Sequence, residues 1–174
     1  FMPYGSGVIL VRNAENLFKS NYYTAAYLQD DMEGQDERSP ADYSPELTRH
    51  FRGMRLWFSL SMFGISPFRQ VLAEKIDLSH YFYREIQKAG FEVGPFPALS
   101  ISLFRYVPKE GDANEANTKL LTMIHEDGQI FVSSTTILGV LWIRMAILVF
   151  RAHIKEVDFA IKTMEKLKNS MNLH

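Results

Sequence analysis

Between Val140 and Phe150 the chain reads VLWIRMAILVF, ten apolar residues around one arginine. A run this apolar belongs in an interior, and a guanidinium does not shed its proton to get there. A membrane is not the answer. A span needs about 20 apolar residues, whereas this run begins near Ile137 and ends at Phe150. Its arginine would cost at least about 2.5 kcal/mol in lipid. The run therefore reads as a strand. Side chains alternate along a strand, so Leu141, Ile143, Met145, Ile147 and Val149 share one face. Trp142, Arg144, Ala146, Leu148 and Phe150 share the other. Arg144 has apolar neighbours on its own face and needs an anion there. Two readings stand: a structural ion pair with an internal Asp or Glu, or a guanidinium fork presented to a ligand's carboxylate or phosphate.

Composition narrows the functional classes. Hydrophobic residues make up 47% of the 174, enough for a core, so wholesale disorder is excluded. The net charge of −1 and the lack of a basic stripe argue against a nucleic-acid partner. With no cysteine, disulfides, zinc-thiolate sites and thiol nucleophiles are out, which fits a reducing compartment. The histidines at 50, 80, 125, 153 and 174 lack ligand spacing, so no metal site is expected. The chain opens FMPYGSG, with Phe rather than Met, and runs directly into a strand-like segment. No leader peptide is expected, and the start reads as the interior of a longer protein.

Turn and cap signals divide the rest. Gly5-Ser6-Gly7 marks a turn, more readily than a phosphate cradle, and VILVR (8–12) follows as an expected buried strand. Residues 14–28 are weakly helical, and the polar stretch 30–44 is an expected mobile loop. Ser44-Pro45-Glu46 has the chemistry of a helix start. Leu47, Phe51, Met54, Trp57, Phe58 and Ser61 would form its buried face, and Gly64 its stop. Ser66-Pro67 begins a second long helix ending at Gly90. LSISLFRYV (99–107) alternates as a strand, 113–126 is a helix with Leu120, Leu121 and Ile124 inward, and QIFVSS (129–134) is a strand. After the arginine strand, residues 154–169 form a closing amphipathic helix through Ile154, Val157, Ile161, Met164 and Leu167. From residue 45 the order is α-α-β-α-β-β-α. This predicts an α/β (α+β) small domain: a small, mostly antiparallel sheet with helices packed on one face.

Several of these stretches, in order, resemble the C-terminal part of the pyridoxal-phosphate-dependent group II amino-acid decarboxylases. That family includes the aromatic amino acid, histidine and glutamate decarboxylases. PYGSGVILVR looks like the strand after the family's cofactor lysine, and AAYLQD like the start of its mobile catalytic loop. LTRHFRGMRLWFSLSMFG resembles its RRFR-x-x-K-x-W-F helix. IFVSSTTILGVLWIRMAILVFRAHIKEVDFAI resembles its final strand pair and helix. The resemblance implies the C-terminal domain of a fold-type-I enzyme. Residues 1–50 would be the tail of the large cofactor-binding domain, with a mobile loop near 27–44. Residues 51–174 would be the small domain.

The resemblance also implies roles. Arg144 sits where the family places an arginine that binds the substrate's α-carboxylate or holds that region of the site. Tyr27 matches a loop tyrosine thought to protonate the carbanionic intermediate after carbon dioxide leaves. A phenol on a closing loop delivers a weak acid late to a dry site. The bland alternative for Tyr27 is an aromatic loop anchor. The spacing from Tyr27 to Arg49 differs by about one residue from the family pattern. Thr48 stands where some members donate a hydroxyl or backbone N–H across a dimer to the partner's cofactor phosphate or substrate, and is otherwise a capping threonine. Arg49, Arg52 and Arg55 form a basic cluster expected to be largely solvated or salt-bridged.

The family's Schiff-base lysine would lie a few residues upstream of Phe1, and Lys19 is not a substitute for it. The expected cofactor is pyridoxal 5′-phosphate, bound by the parent protein. The expected function is that of a C-terminal fragment of an L-amino-acid decarboxylase, a carboxy-lyase releasing carbon dioxide and an amine. The fragment would be inactive by itself, and its parent homodimeric and cytoplasmic. The substrate leans aromatic, with glutamate, aspartate and diamino acids open. The alternatives are a non-catalytic dimerisation domain derived from such an enzyme, and a lyase or transaminase using the same cofactor.

Overall fold

A computed structural model describes residues 4–22, 38–46 and 48–171. They fall into two compact units, divided between Gly64 and Ile65.

The first unit carries helix α1 (Ala14–Asn21), a 3-10 turn at Pro40–Tyr43 and helix α2 (Gly53–Phe63). Asn13 caps α1 by accepting from the Glu15 N–H at 3.0 Å. Ser39 and Asp42 make a reciprocal capping box on the 3-10 turn. Three expectations fail here. VILVR is not a strand: Val8, Ile9 and Leu10 are 67%, 76% and 94% exposed, and among the described residues no strand pairs with them. β-branched residues favour an extended backbone, but a strand needs a neighbour to complete its hydrogen bonds. Nor does a helix begin at Ser44. Its hydroxyl donates instead to the Glu46 carbonyl at 3.0 Å, a local bond that competes with capping, and α2 begins at Gly53. The predicted stop at Gly64 holds, with φ of 71°. The predicted inward face does not: α2 buries none of its residues, and Trp57 and Phe58 stay more than half exposed.

The second unit is an antiparallel sheet under three helices. Helix α3 (Ser66–Lys88) leads to strands β1 (Glu92–Val93) and β2 (Ile101–Arg105). Helix α4 (Ala113–Asp127), strands β3 (Ser133–Ile137) and β4 (Val140–Ala146) and helix α5 (Ile154–Met171) follow. The sheet order is β1-β2-β4-β3, antiparallel throughout. The two-residue β1 is an addition to the expected order. β3 begins later than expected, at Ser133. β4 stops at Ala146, with Leu148, Val149 and Phe150 exposed beyond it, so the apolar run outlasts its ladder.

One face of the sheet carries the core. Phe104 and Ile143 are fully buried against Phe82 and Ile86 of α3, Leu120 and Ile124 of α4, and Val157, Ala160 and Met164 of α5. The helical spacing of those residues explains the arrangement, except that Ile154, at the start of α5, stays half exposed. Polar groups lock the layers. Asn117, fully buried, accepts from the Tyr106 N–H at 2.8 Å and donates to the Tyr106 carbonyl at 2.7 Å. It acts as a strand partner where β2 leaves the sheet. Lys75, 2% exposed, donates to the Ala152 carbonyl at 2.5 Å and to Glu74 at 2.9 Å, tying α3 to the segment between β4 and α5. Lys168 donates to the Ala89 carbonyl at the end of α3.

Candidate active site

The face of the sheet opposite the helices is where Arg144 lies. Register and alternation build that face row by row. In one row, Arg144 stands opposite Leu103 of β2 and Ser133 of β3. In the next, Glu92 stands opposite Arg105 and Thr135 opposite Trp142. The inward neighbours on the same strands, Phe104 and Ile143, are the buried ones, so Arg144, Trp142 and Arg105 point away from the core.

Arg144 is half buried, and its Nη1 donates to the Ser133 hydroxyl at 3.5 Å. Among the described residues no carboxylate lies within ion-pair distance of it. The internal ion pair held open by the sequence is therefore not formed with any described residue. The acid on this face, Glu92, is taken by Arg105: the guanidinium donates to one carboxylate oxygen through Nε at 3.0 Å and Nη2 at 2.8 Å. The same guanidinium sits over the Trp142 indole, 5.0 Å from the ring centre. The result, among the described residues, is one compensated cation and one uncompensated cation on a single sheet face. An uncompensated, partly desolvated guanidinium is a fork for a carboxylate.

Thr48 lies in the other unit and is exposed. It does not cap α2, whose N-cap is Arg52. Its hydroxyl makes no hydrogen bond among the described residues. Of the basic cluster, Arg52 pairs with Glu46 at 2.8 Å and Arg55 donates to the Tyr4 carbonyl. Tyr27 lies outside the described residues, as does most of the expected loop. Alternation in the sequence already puts Trp142 on the face of Arg144. Sequence reasoning missed Ser133, Glu92 and Arg105, because cross-strand partners need the register.

Two further clusters border this unit. The Tyr81 hydroxyl donates to Asp158 at 2.6 Å, and that bond pushes the phenol up to about 12. His153 Nδ1 lies 2.5 Å from Glu74, and its backbone N–H donates to Glu156 at 2.8 Å. The His153 ring, then Lys75, hold the Glu74 carboxyl below its ordinary range, and the His153 N–H does the same for Glu156. Among the described residues no group of three His, Asp or Glu side chains is placed to hold a metal ion. Nor is any helix among them long and apolar enough to cross a membrane.

Comparison with known proteins places this geometry in a family. An aromatic-L-amino-acid decarboxylase of Bacillus atrophaeus is 31% identical over 176 aligned residues, covering 97% of this chain and 36% of that protein. Tyrosine decarboxylase 2 of Arabidopsis thaliana is 32% identical over 61% of this chain and 20% of its own length. The chain thus spans about a third or less of these relatives. Among solved structures, Oryza sativa TDC with PLP and tryptamine superposes with a TM-score of 0.75 at 22% identity, covering 92% of this chain and 35% of that one. Mouse CSAD superposes at 0.69 and 18% identity, over 91% of this chain and 35% of its own. These two show a shared fold. The model of the pyridoxal-dependent decarboxylase conserved domain matches residues 1–107, more than half the sequence, and the chain belongs to that family.

Proposed function

We propose that this chain is the C-terminal part of a pyridoxal-phosphate-dependent L-amino-acid decarboxylase. In this reading residues 1–50 end the large cofactor-binding domain and residues 51–174 form the small domain. The observation that carries the reading is Arg144, a half-buried guanidinium without a carboxylate partner among the described residues, in a chain of this family. Arg144 binds the substrate's α-carboxylate through its guanidinium fork and so fixes the orientation of the Cα–carboxylate bond. Thr48, exposed and with a hydroxyl that has no partner among the described residues, suits a phosphate oxygen of the cofactor. The bound cofactor supplies the electron sink for loss of carbon dioxide. Its lysine lies upstream of residue 1 in this reading. Tyr27 returns a proton to the substrate's α-carbon from a loop that closes after substrate binds.

The substrate class we propose is aromatic L-amino acids. Relatives named as aromatic-L-amino-acid, tyrosine and tryptophan decarboxylases support it. The parent is read as a cytoplasmic homodimer, and the exposed apolar side chains of α2, Trp57 and Phe58 among them, suit burial in such an assembly.

The test is carbon dioxide and amine release from tyrosine, tryptophan and glutamate by the intact protein loaded with pyridoxal phosphate. Stoichiometric amine from the aromatic substrates is expected. Release from none of them overturns the reading. A second reading, an aldehyde-forming lyase, is favoured by one finding: a phenylacetaldehyde synthase of Arabidopsis thaliana is 30% identical over 66% of this chain. Aldehyde, ammonia and hydrogen peroxide in place of amine, with one dioxygen consumed per substrate, select it. Tyr27→Phe is expected to suppress amine formation, and unchanged amine output would exclude the loop-acid role.

A further inference from the structure

The open sheet face carries two arginines and one strand glutamate, and the glutamate is committed to one of the two. Glu92 stands at the edge of the sheet, opposite Arg105. Arg144, on β4, lies two strands in from Glu92 and one row along. From strand spacing and rise, the Glu92 and Arg144 Cα atoms are about 12 Å apart, within the combined reach of a glutamate and an arginine. The Glu92 side chain is 44% exposed, so it has solvent space to swing once released. What holds it is Arg105, whose own side chain is only 19% exposed and is pinned on the Trp142 ring. Two donor nitrogens of Arg105 grip one Glu92 oxygen.

From this arrangement we infer that Arg105 is a positioning residue that keeps Glu92 away from Arg144. By occupying the one acid that the strands place on this face, Arg105 leaves Arg144 uncompensated for an incoming carboxylate. Trp142 serves the same end, because its ring fixes where the Arg105 guanidinium rests. The inference rests on the reading of Arg144 as the carboxylate-binding residue. Substrate binding then depends on two residues, Arg105 and Trp142, that do not touch the substrate. A freed Glu92 would act as an internal competitor, because a nearby opposite charge on a mobile side chain forms an ion pair at high effective concentration.

The experiment compares four forms of the intact holoenzyme: the unaltered protein, Arg105→Met, Arg105→Met with Glu92→Gln, and Arg144→Gln. For each, KM and kcat for tyrosine are measured. Calorimetric affinity for 3-phenylpropanoate is measured too, since it presents a carboxylate but no amine. Arg105→Met is expected to weaken both KM and phenylpropanoate affinity by about fivefold, with kcat nearly unchanged. Adding Glu92→Gln restores both. A merely structural role for Arg105 would not be rescued by removing the glutamate's charge. Unchanged affinity in Arg105→Met, or a double variant as weak as the single, overturns the inference. If Arg144→Gln binds phenylpropanoate normally, the underlying reading of Arg144 fails instead. Should Arg105→Met not give folded protein, Arg105→Gln with and without Glu92→Gln makes the same comparison on a side chain with a polar end.

Discussion

Arg144 and Ser133 face each other across the β3–β4 ladder, and the 3.5 Å contact from guanidinium to hydroxyl is the polar tether the sheet gives that arginine. The contact is long and neutral on one side, so it orients the guanidinium without discharging it. Arg144→Gln should therefore leave folding intact and raise KM for the amino acid by about 10- to 100-fold, the range for losing a charge-assisted bond to a carboxylate. Steady-state kinetics with a melting curve on the same sample checks it. A destabilised protein with unchanged KM would mean that the arginine serves the sheet.

The β3–β4 turn contains a strained residue. Ile137 pairs with Val140, so Leu138 and Gly139 alone make the turn, with φ of 51° and 78°. Both positive angles fit a type I′ turn, which suits Asn-Gly far better than Leu-Gly. Leu138 is 99% exposed and gains nothing from packing. Leu138→Asn should stabilise the protein by about 0.5–1 kcal/mol, read from chemical denaturation. Destabilisation would show that the leucine is covered in solution.

Asn117 should be intolerant of change. Its amide serves both backbone groups of Tyr106 and donates to the Ala113 carbonyl at 2.6 Å. Asn117→Leu keeps the volume but withdraws those partners inside the core. The expected cost is about 3 kcal/mol, from stranding buried backbone groups. A loss under about 1 kcal/mol would show that water replaces the amide.

Acid should loosen the junction of α3 and α5. Glu74 and Glu156 both have folded pKa values below their ordinary value of 4.5. A depressed carboxyl contributes stability that is fully present above its unfolded pKa and is lost as pH falls through the folded one. Melting temperature should therefore decline below about pH 4.5. Glu74→Gln should lower it at neutral pH and flatten that decline. An acid limb as steep in the variant as in the unaltered protein would assign the loss to other groups.

Much of the second unit was legible residue by residue. The stop of α3 at Gly90 follows from local conformational freedom, with φ of 82°. The buried faces of α4 and α5 follow from periodicity. Where local signals failed, a distant partner decided. Val8 to Val11 have strand chemistry and no ladder. Ser44 has capping chemistry but bonds Glu46. The late start of β3 at Ser133 reflects its pairing with β4 more than the apolar run before it.

The sequence by itself determined that Arg144 lies in a strand, on the face with Trp142, with a charge it cannot lose. Alternation and the chemistry of guanidinium are local properties, and no tertiary fact is needed to state them. Only the tertiary structure decided whether that charge is compensated. Glu92 and Arg105 are 13 residues apart in sequence, and Ser133 and Arg144 are 11. Which of these side chains meet depends on the register and order of four antiparallel strands, and that order is set by how three helices bury one face of the sheet.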